Sequence, residues 1–402
     1  MSKRIGVLTG GGDTSALNAT LKGIALKAEE LGFELIGFMK GWKGVLKDGL
    51  HFTLTPDLID ENQGGTLLKS SRTNLNQDQI GEAVDNLRNL GIDGLIPIGG
   101  DDTMTVGAKL SEMFTTTFVT KTIDNDVGTN PPPGASVDYS QMINYFCPGF
   151  PTAASRLISY VCDLRTTAYS HDRIIFVEAM GRDAGWLTLS SAYGYADLIV
   201  VPEIPYEPDR LAEAIQKKHA EKGNVIVVVS EGIRNQKGEL MISSQEEIDA
   251  FGHTKPGGCS ELIAEAMKKR LSPKISAENF RHLILGYLQR CGSPIPIDRD
   301  CALKAGQLAV EALAQGQINY VAAIMRTSEG LQPKLLPLEQ VIKQDADGYV
   351  KRRSLDLRFY DAKNYQISSA GIAYFRPIFG DLPKLNLPDI ESALSIQLLA
   401  SE

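Results

Sequence analysis

The chain has 402 residues, 43% of them apolar and 22% charged, and carries a net charge of −8. That length exceeds one ordinary core and predicts two domains, and the apolar share excludes a disordered chain. The acidic excess argues against a broadly basic nucleic-acid binder while leaving room for a local cationic pocket. Five cysteines, Cys147, Cys162, Cys259, Cys291 and Cys301, form no C-x-x-C pair, and an odd count fits a reduced, cytoplasmic protein. The five histidines are scattered without an H-E-x-x-H pattern, which disfavours zinc. The opening MSKRIGVLTGGGD shows no signal core. No apolar run approaches the ~18 residues needed to span a bilayer, so no membrane partner is expected.

In chain order, Ile5–Leu8 reads as a buried strand leading into a glycine turn, and Ala16–Leu31 carries apolar residues at helical spacing. Phe33–Phe38 predicts the next strand and Asp78–Leu90 an amphipathic helix, followed by a strand over Gly94–Ile98. Phe114–Thr120 is β-like, Asn130–Gly134 (NPPPG) must be a loop, and it is a natural crossover between domains. Later strands are Arg173–Val177, Leu198–Val201 and Val225–Val229. Lys255–Gly258 forms a turn before a helix over Cys259–Leu271. Residues 330–402 read as a helix, a polar connection and an amphipathic stretch from Pro388. Alternation of buried strands with helices predicts an α/β fold with parallel sheets.

Polar equipment gathers where predicted strands end. Gly10-Gly11-Gly12-Asp13 lies between a strand and a helix, where backbone N–H groups can approach an anion. It is neither a Walker A loop nor G-x-G-x-x-G, and a plain tight turn is the bland alternative. Gly99-Gly100-Asp101-Asp102-Thr103 places two carboxylates at a helix start, as caps or as magnesium ligands. Lys121-Thr122-Ile123-Asp124-Asn125-Asp126 puts two carboxylates at i and i+2 at a strand terminus, where open α/β sheets bind ligands. Met180-Gly181-Arg182, Ser230-Glu231-Gly232 and Leu285–Arg290 follow later strands. Ser170-His171-Asp172-Arg173 has the wrong order for a protein-kinase catalytic loop. Together the turns offer anion cradles, a metal carboxylate, a base and cationic clamps, the parts of a phosphoryl-transfer site.

In order, GVLTGGGD, GGT followed by SSR, GGDD, KTIDND, SHDRI with EAMGR, SEG and LGYLQR followed by GSP resemble the 6-phosphofructokinase superfamily over about residues 4–320. The resemblance implies two Rossmann-like αβα domains with the active site in the cleft between them. It divides the chain into a donor domain (1–136 plus about 289–340) and a sugar-phosphate domain (137–288 plus about 341–402). ATP-using bacterial members carry Gly where this chain has Asp102 and Lys121; pyrophosphate-using members carry Asp and Lys. Lys at position 121 also occurs in some ATP users, so Asp102 is the stronger discriminator. The resemblance therefore implies a pyrophosphate-using, Mg²⁺-dependent glycolytic enzyme that phosphorylates the 1-hydroxyl of fructose 6-phosphate.

The same resemblance assigns residues. Asp124 is the implied base, Asp126 holds its loop and assists with metal or charge placement, and Asp101 is the Mg²⁺ ligand. Gly11, Gly12, Arg72 and Lys121 would contact the diphosphate; Asp102, Lys121 and Arg182 would shape the transfer. Thr122, Ile123, Met180, Gly181, Glu231, Tyr287 and Arg290 would contact the sugar phosphate. Arg173 and Arg281 match arginines that reach the 6-phosphate from a neighbouring subunit, which implies a homodimer or homotetramer. Departures fall on the donor side and the cleft loop: Ser15-Ala16 stands for a usual Pro-Gly, Lys69 for a Gly, and Thr120 for a common Pro. The stretch between Asp126 and Gly149 is also longer than usual. Competing readings are an ATP-dependent phosphofructokinase, a lipid or NAD kinase, and a non-catalytic sugar-phosphate-binding regulatory subunit.

Overall fold

The computed structural model describes residues 3–134, 136–242 and 257–384. The stretch expected from Pro388, and the first half of the turn at 255–258, lie outside the described residues. The chain opens with β1 (Arg4–Thr9), α1 (Leu17–Glu30), β2 (Glu34–Phe38), β3 (His51–Thr53) and α2 (Gln77–Asn89). It continues through β4 (Gly94–Gly99), α3 (Asp101–Ser111), β5 (Thr117–Thr120), the long α4 (Phe150–Ser170), β6 (Ile174–Ala179) and α5 (Trp186–Ser190). Then come β7 (Leu198–Val200), α6 (Pro208–Lys222), β8 (Val225–Ser230), α7 (Cys259–Leu271), β9 (Phe280–Ile284) and α8 (Pro296–Ala314). The last described elements are β10 (Tyr320–Thr327), β11 (Gly330–Pro337), α9 (Leu338–Val341), β12 (Tyr360–Asp361), β13 (Gln366–Ile367) and α10 (Ser369–Phe379).

Seven strands form one sheet in the order β11-β10-β5-β4-β1-β2-β3, parallel except for β11 and β3 at its edges. Four strands, β7-β8-β6-β9, form a second, wholly parallel sheet. The expected α/β class with parallel sheets is thus the observed one. Both sheets are covered on two faces, which explains their unbroken apolar runs. In β6, Ile175 and Val177 pack towards α4 and α5, whereas Ile174 and Phe176 pack towards α6 and α7, the two-residue period of a strand. One core cluster continues from β1 through α1 and α8 to α4 and the inner face of β6 and β8. Gly23 of α1 lets the two helices touch closely: a Cβ there would lie 1.9 Å from the Leu303 carbonyl oxygen of α8.

Two expectations are revised. Phe114–Thr120 is a strand only from Thr117, because Thr116 meets Leu95 as an isolated bridge. Residues 330–337 form a strand, not a helix; their two prolines are tolerated because β11 is an edge strand, hydrogen-bonded on one side only. NPPPG is a loop, as expected, with the Pro131 and Pro132 carbonyls accepting from Arg358. All five cysteines are free thiols. Among the described residues no helix is long and apolar enough to cross a membrane.

Candidate active site

A cleft of about 700 Å³ opens where the carboxyl ends of β1, β4 and β5 face those of β6, β8 and β9. Its size and position suit a small polar ligand pair. The glycine turn after β1 is held from three sides. The Gly10 N–H donates to the Ile98 carbonyl and the Gly11 N–H to the Ser71 carbonyl, at 2.9 and 3.3 Å. Lys121 Nζ donates to the Gly12 carbonyl at 2.5 Å. Lys121 is buried, and burial together with the Arg290 charge lowers its pKa to about 8.

Asp101 and Asp102 begin α3, whose cap residue is Gly100, so neither aspartate occupies the cap position itself. Both carboxylates sit in the first turn, where the helix dipole favours negative charge, and both line the cleft. After β5, Thr122 Oγ1 accepts from the Asp124 N–H at 3.1 Å. Asn125 takes a left-handed conformation (φ 57°) between Asp124 and Asp126. Burial raises the pKa of both aspartates above the ordinary carboxylate range; Glu231 adds to the shift at Asp124, and Asp101 at Asp126. Asp126 Oδ1 is buried and has no hydrogen-bond partner.

On the opposite wall, Gly181 donates its N–H to Glu231 Oε1 at 3.3 Å. Burial, then the neighbouring Glu178, pushes the Glu231 carboxyl up to about 7. Arg182 Nε pairs with Asp183 at 2.9 Å. Arg290 stacks on the Tyr287 ring, 4.7 Å from its centroid, and pairs with Asp13 of the glycine turn at 3.2 Å. It therefore crosses from one wall to the other. Gly12 makes that approach possible, since a Cβ there would meet Arg290 Nη1 at 2.8 Å.

The cleft brings together every residue expected in it except Gly181, which falls between the lining residues Met180 and Arg182 in the chain. Arg173 and Arg281 are elsewhere, at the amino-terminal ends of β6 and β9, a strand's length away from the cleft. Arg173 Nη1 donates to Thr167 Oγ1, and Arg281 Nη1 donates to the Glu278 carbonyl. Sequence reasoning missed Glu178, Asp183 and Arg352. Glu178 is the one charged residue in the buried strand IIFVEA, a signal that was available. Its carboxylate accepts from the Gly258 and Ser260 N–H groups at 3.0 and 2.9 Å. Arg352 comes from the polar connection, where a Lys-Arg-Arg run reads as a solvated face. In fact Arg352 ion-pairs with Asp101 and, at 2.6 Å, with Asp183.

Eight Asp or Glu side chains and five Lys or Arg side chains line the cleft. A site of that balance accepts phosphates only with added cation or with protonated carboxyls. Among the described residues no three His, Cys, Asp or Glu are grouped to hold a metal by themselves. The chemistry still fits Mg²⁺, which is commonly held by one or two carboxylates, waters and substrate phosphate. Asp101, beside the unpartnered Asp126 Oδ1, supplies such a donor set.

Gly turns, paired carboxylates and converging cations between two parallel sheets define a phosphotransferase cleft. Residues 4–313 match the phosphofructokinase family, and the chain belongs to that family. It is 35% identical over 371 residues to the pyrophosphate–fructose 6-phosphate 1-phosphotransferase of Dictyoglomus thermophilum, spanning 90% of this chain and 98% of that protein. It is also 35% identical over 351 residues to ATP-dependent 6-phosphofructokinase 2 of Streptomyces coelicolor, spanning 85% and 95% of the two chains. The fold is shared with the pyrophosphate-dependent phosphofructokinase of Nitrosospira multiformis, with a TM-score of 0.77 at 20% identity over 97% of this chain and 95% of that one.

Proposed function

We propose that the cleft transfers a phosphoryl group reversibly from pyrophosphate to the 1-hydroxyl of fructose 6-phosphate, giving fructose 1,6-bisphosphate and phosphate in the cytoplasm. The observation that carries this reading is the donor end of the cleft, where Asp102 stands beside Asp101 and the Lys121 ammonium lies under the glycine turn. An acidic side chain there adds bulk and like charge where a nucleotide would continue, while the ammonium suits a compact, highly charged diphosphate. Sequence relatives named for the pyrophosphate reaction support the same donor.

In this reading the unit built on the seven-stranded sheet (residues 1–136 and about 289–340) holds the donor. The unit built on the four-stranded sheet (137–288 and about 341–402) holds the sugar phosphate. Asp124 accepts the proton of the sugar 1-hydroxyl, whose oxygen then attacks the near phosphorus in line; the P–O bond to the far phosphate breaks and phosphate leaves. Gly11, Gly12 and Arg72 flank the donor, Lys121 and Arg182 face the equatorial oxygens, and Thr122, Ile123, Met180 and Glu231 contact the sugar. Mg²⁺ held by Asp101, with Asp126 close by, would supply charge neutralisation on the diphosphate oxygens. Tyr287 and Arg290 reach towards the 6-phosphate. Arg173 and Arg281 would serve the cleft of a neighbouring subunit, making the working form at least a homodimer.

One observation favours ATP as a second reading. A further cavity of about 500 Å³ adjoins the donor end, lined by Gly65, Thr66, Lys69, Arg72 and Arg290 among others. It offers room beyond a diphosphate, and an ATP-dependent relative is also 35% identical. Phosphorus NMR of the full chain with fructose 6-phosphate, Mg²⁺ and pyrophosphate tests the proposal. The expected result is a new sugar 1-phosphate signal growing with inorganic phosphate; no such signal would refute it.

A further inference from the structure

Arg352 lies beyond residues 4–313, in a segment that no motif singled out. Its guanidinium pairs through Nε with Asp101 Oδ2 and through Nη1 with Asp183 Oδ2, the latter at 2.6 Å. Nε is also 4.0 Å from Asp126 Oδ2. Asp101 opens α3 on one wall of the cleft and Asp183 follows β6 on the other. One side chain from a third segment therefore ties the two walls together. That segment is itself fixed. The Val350 N–H donates to Thr105 Oγ1 at 3.0 Å, the Arg353 N–H to the Asp126 carbonyl at 2.6 Å, and the Leu355 N–H to Glu203 Oε1 at 2.7 Å.

We infer that Arg352 is a positioning residue: it is the resident counter-ion of the Asp101 carboxylate, and a divalent cation must compete with its guanidinium for that carboxylate. The inference rests on the phosphoryl-transfer reading of the cleft for the use of Asp101. A guanidinium and a divalent cation repel each other at one carboxylate. With a cation held at Asp101, Arg352 would keep Asp183 as its partner or pair with the phosphate oxygens that enter with the metal. The donor's negative charge replaces the partner that Arg352 gives up. Free protein holds the cation weakly, and the cation and the anionic donor load together. The same tie sets the distance between the walls before substrate arrives.

The test uses the full chain without substrates and Mn²⁺ as the probe, with free Mn²⁺ followed by electron paramagnetic resonance. R352Q should bind Mn²⁺ about thirtyfold more tightly, the factor set by a divalent ion and one unit charge ~4 Å apart in a water-like dielectric. R352K keeps the charge but not the fork, so it should fall between wild type and R352Q. In a D101N background the R352Q change should leave Mn²⁺ affinity where D101N alone sets it. Equal or weaker Mn²⁺ binding by R352Q, or tightening that survives in D101N, would overturn the inference. Should R352Q fail to fold, R352K decides: tighter binding than wild type supports the competition, and unchanged binding refutes it. A failure of phosphoryl transfer by the wild-type chain would instead strike the functional reading, because the Mn²⁺ comparison involves no turnover.

Discussion

Arg353 donates to the carbonyl oxygen of Asn125 from both Nε and Nη2, at 3.0 and 2.6 Å. Nη2 also donates to Asn125 Oδ1 at 2.8 Å, and Nη1 to the Asn144 carbonyl at 2.7 Å. The guanidinium is buried and lies over the Trp186 ring, 5.1 Å from its centroid. Asn125 is the left-handed residue between the two aspartates proposed as base and helper. The clamp thus fixes the turn that sets both carboxylates on the cleft wall.

Removing this clamp strands several buried carbonyls. R353M should lower stability by about 2–4 kcal/mol and reduce turnover about tenfold or more, since small displacements of a reacting group are costly. Thermal melting and steady-state kinetics check the pair of effects. Unchanged melting and turnover together would show that the turn holds its own shape.

Asp124 should dominate the chemistry and leave a mark in the pH profile. D124N should lower kcat by about 10²–10⁴ while the enzyme still binds fructose 6-phosphate. Because burial and Glu231 hold Asp124 above the ordinary carboxylate range, kcat/KM for the free wild-type enzyme should rise with pH towards neutrality as this group ionises. Lys121, lowered to about 8 by burial and Arg290, should lose its proton above that pH and weaken donor binding. The alkaline limb should therefore fall near pH 8 and move upward in K121R, whose guanidinium does not titrate there. An alkaline limb left in place by K121R would assign it to another group.

Donor choice should hinge on Asp102. D102G removes the bulk and the charge beside Asp101, and should raise kcat/KM with ATP by about tenfold or more. Parallel assays with ATP and pyrophosphate measure the change. No gain with ATP would place the exclusion of nucleotide elsewhere, for instance at Lys69, a left-handed residue on the adjoining cavity.

Asp298 makes stability depend on pH. Its buried carboxylate accepts from the Gly149 N–H at 2.8 Å and from the Thr152 N–H and hydroxyl at 3.2 and 2.5 Å, joining α8 to the start of α4. Burial outweighs these bonds and pushes its pKa up to about 6. Between about pH 4 and 6 the unfolded chain has lost this proton while the folded chain keeps it. The group's stabilising contribution is therefore full below pH 4 and declines as pH rises through 6, by about 2–3 kcal/mol. D298N should remove that part of the slope in melts taken across the same window. An identical slope in D298N would contradict the assignment.

Much of this was legible in the chain. Buried apolar runs announced β1, β4 and β8, because both faces of a parallel strand are covered. The turns at Gly10–Asp13, Gly99–Thr103 and Lys121–Asp126 announced the cleft, because ligands collect where parallel strands end. What escaped was carried by long-range packing. The segment of β11 reads as a helix, and only pairing with β10 shows it to be an edge strand. Arg352 and Arg353 lie in what reads as a polar connection; the half-buried place of the first and the burial of the second depend on where the chain returns after β11, a placement no local pattern encodes. Glu178 stood out within an apolar strand, and its partners Gly258 and Ser260 lie far along the chain.

The central claim is that the acidic pair at the donor end admits inorganic diphosphate in preference to nucleotide. The direct measurement is kcat/KM for pyrophosphate and for ATP, with saturating fructose 6-phosphate and Mg²⁺, on the same preparation. The account predicts an advantage of about tenfold or more for pyrophosphate, with release of inorganic phosphate equal to bisphosphate formed. Equal or greater kcat/KM with ATP would contradict it.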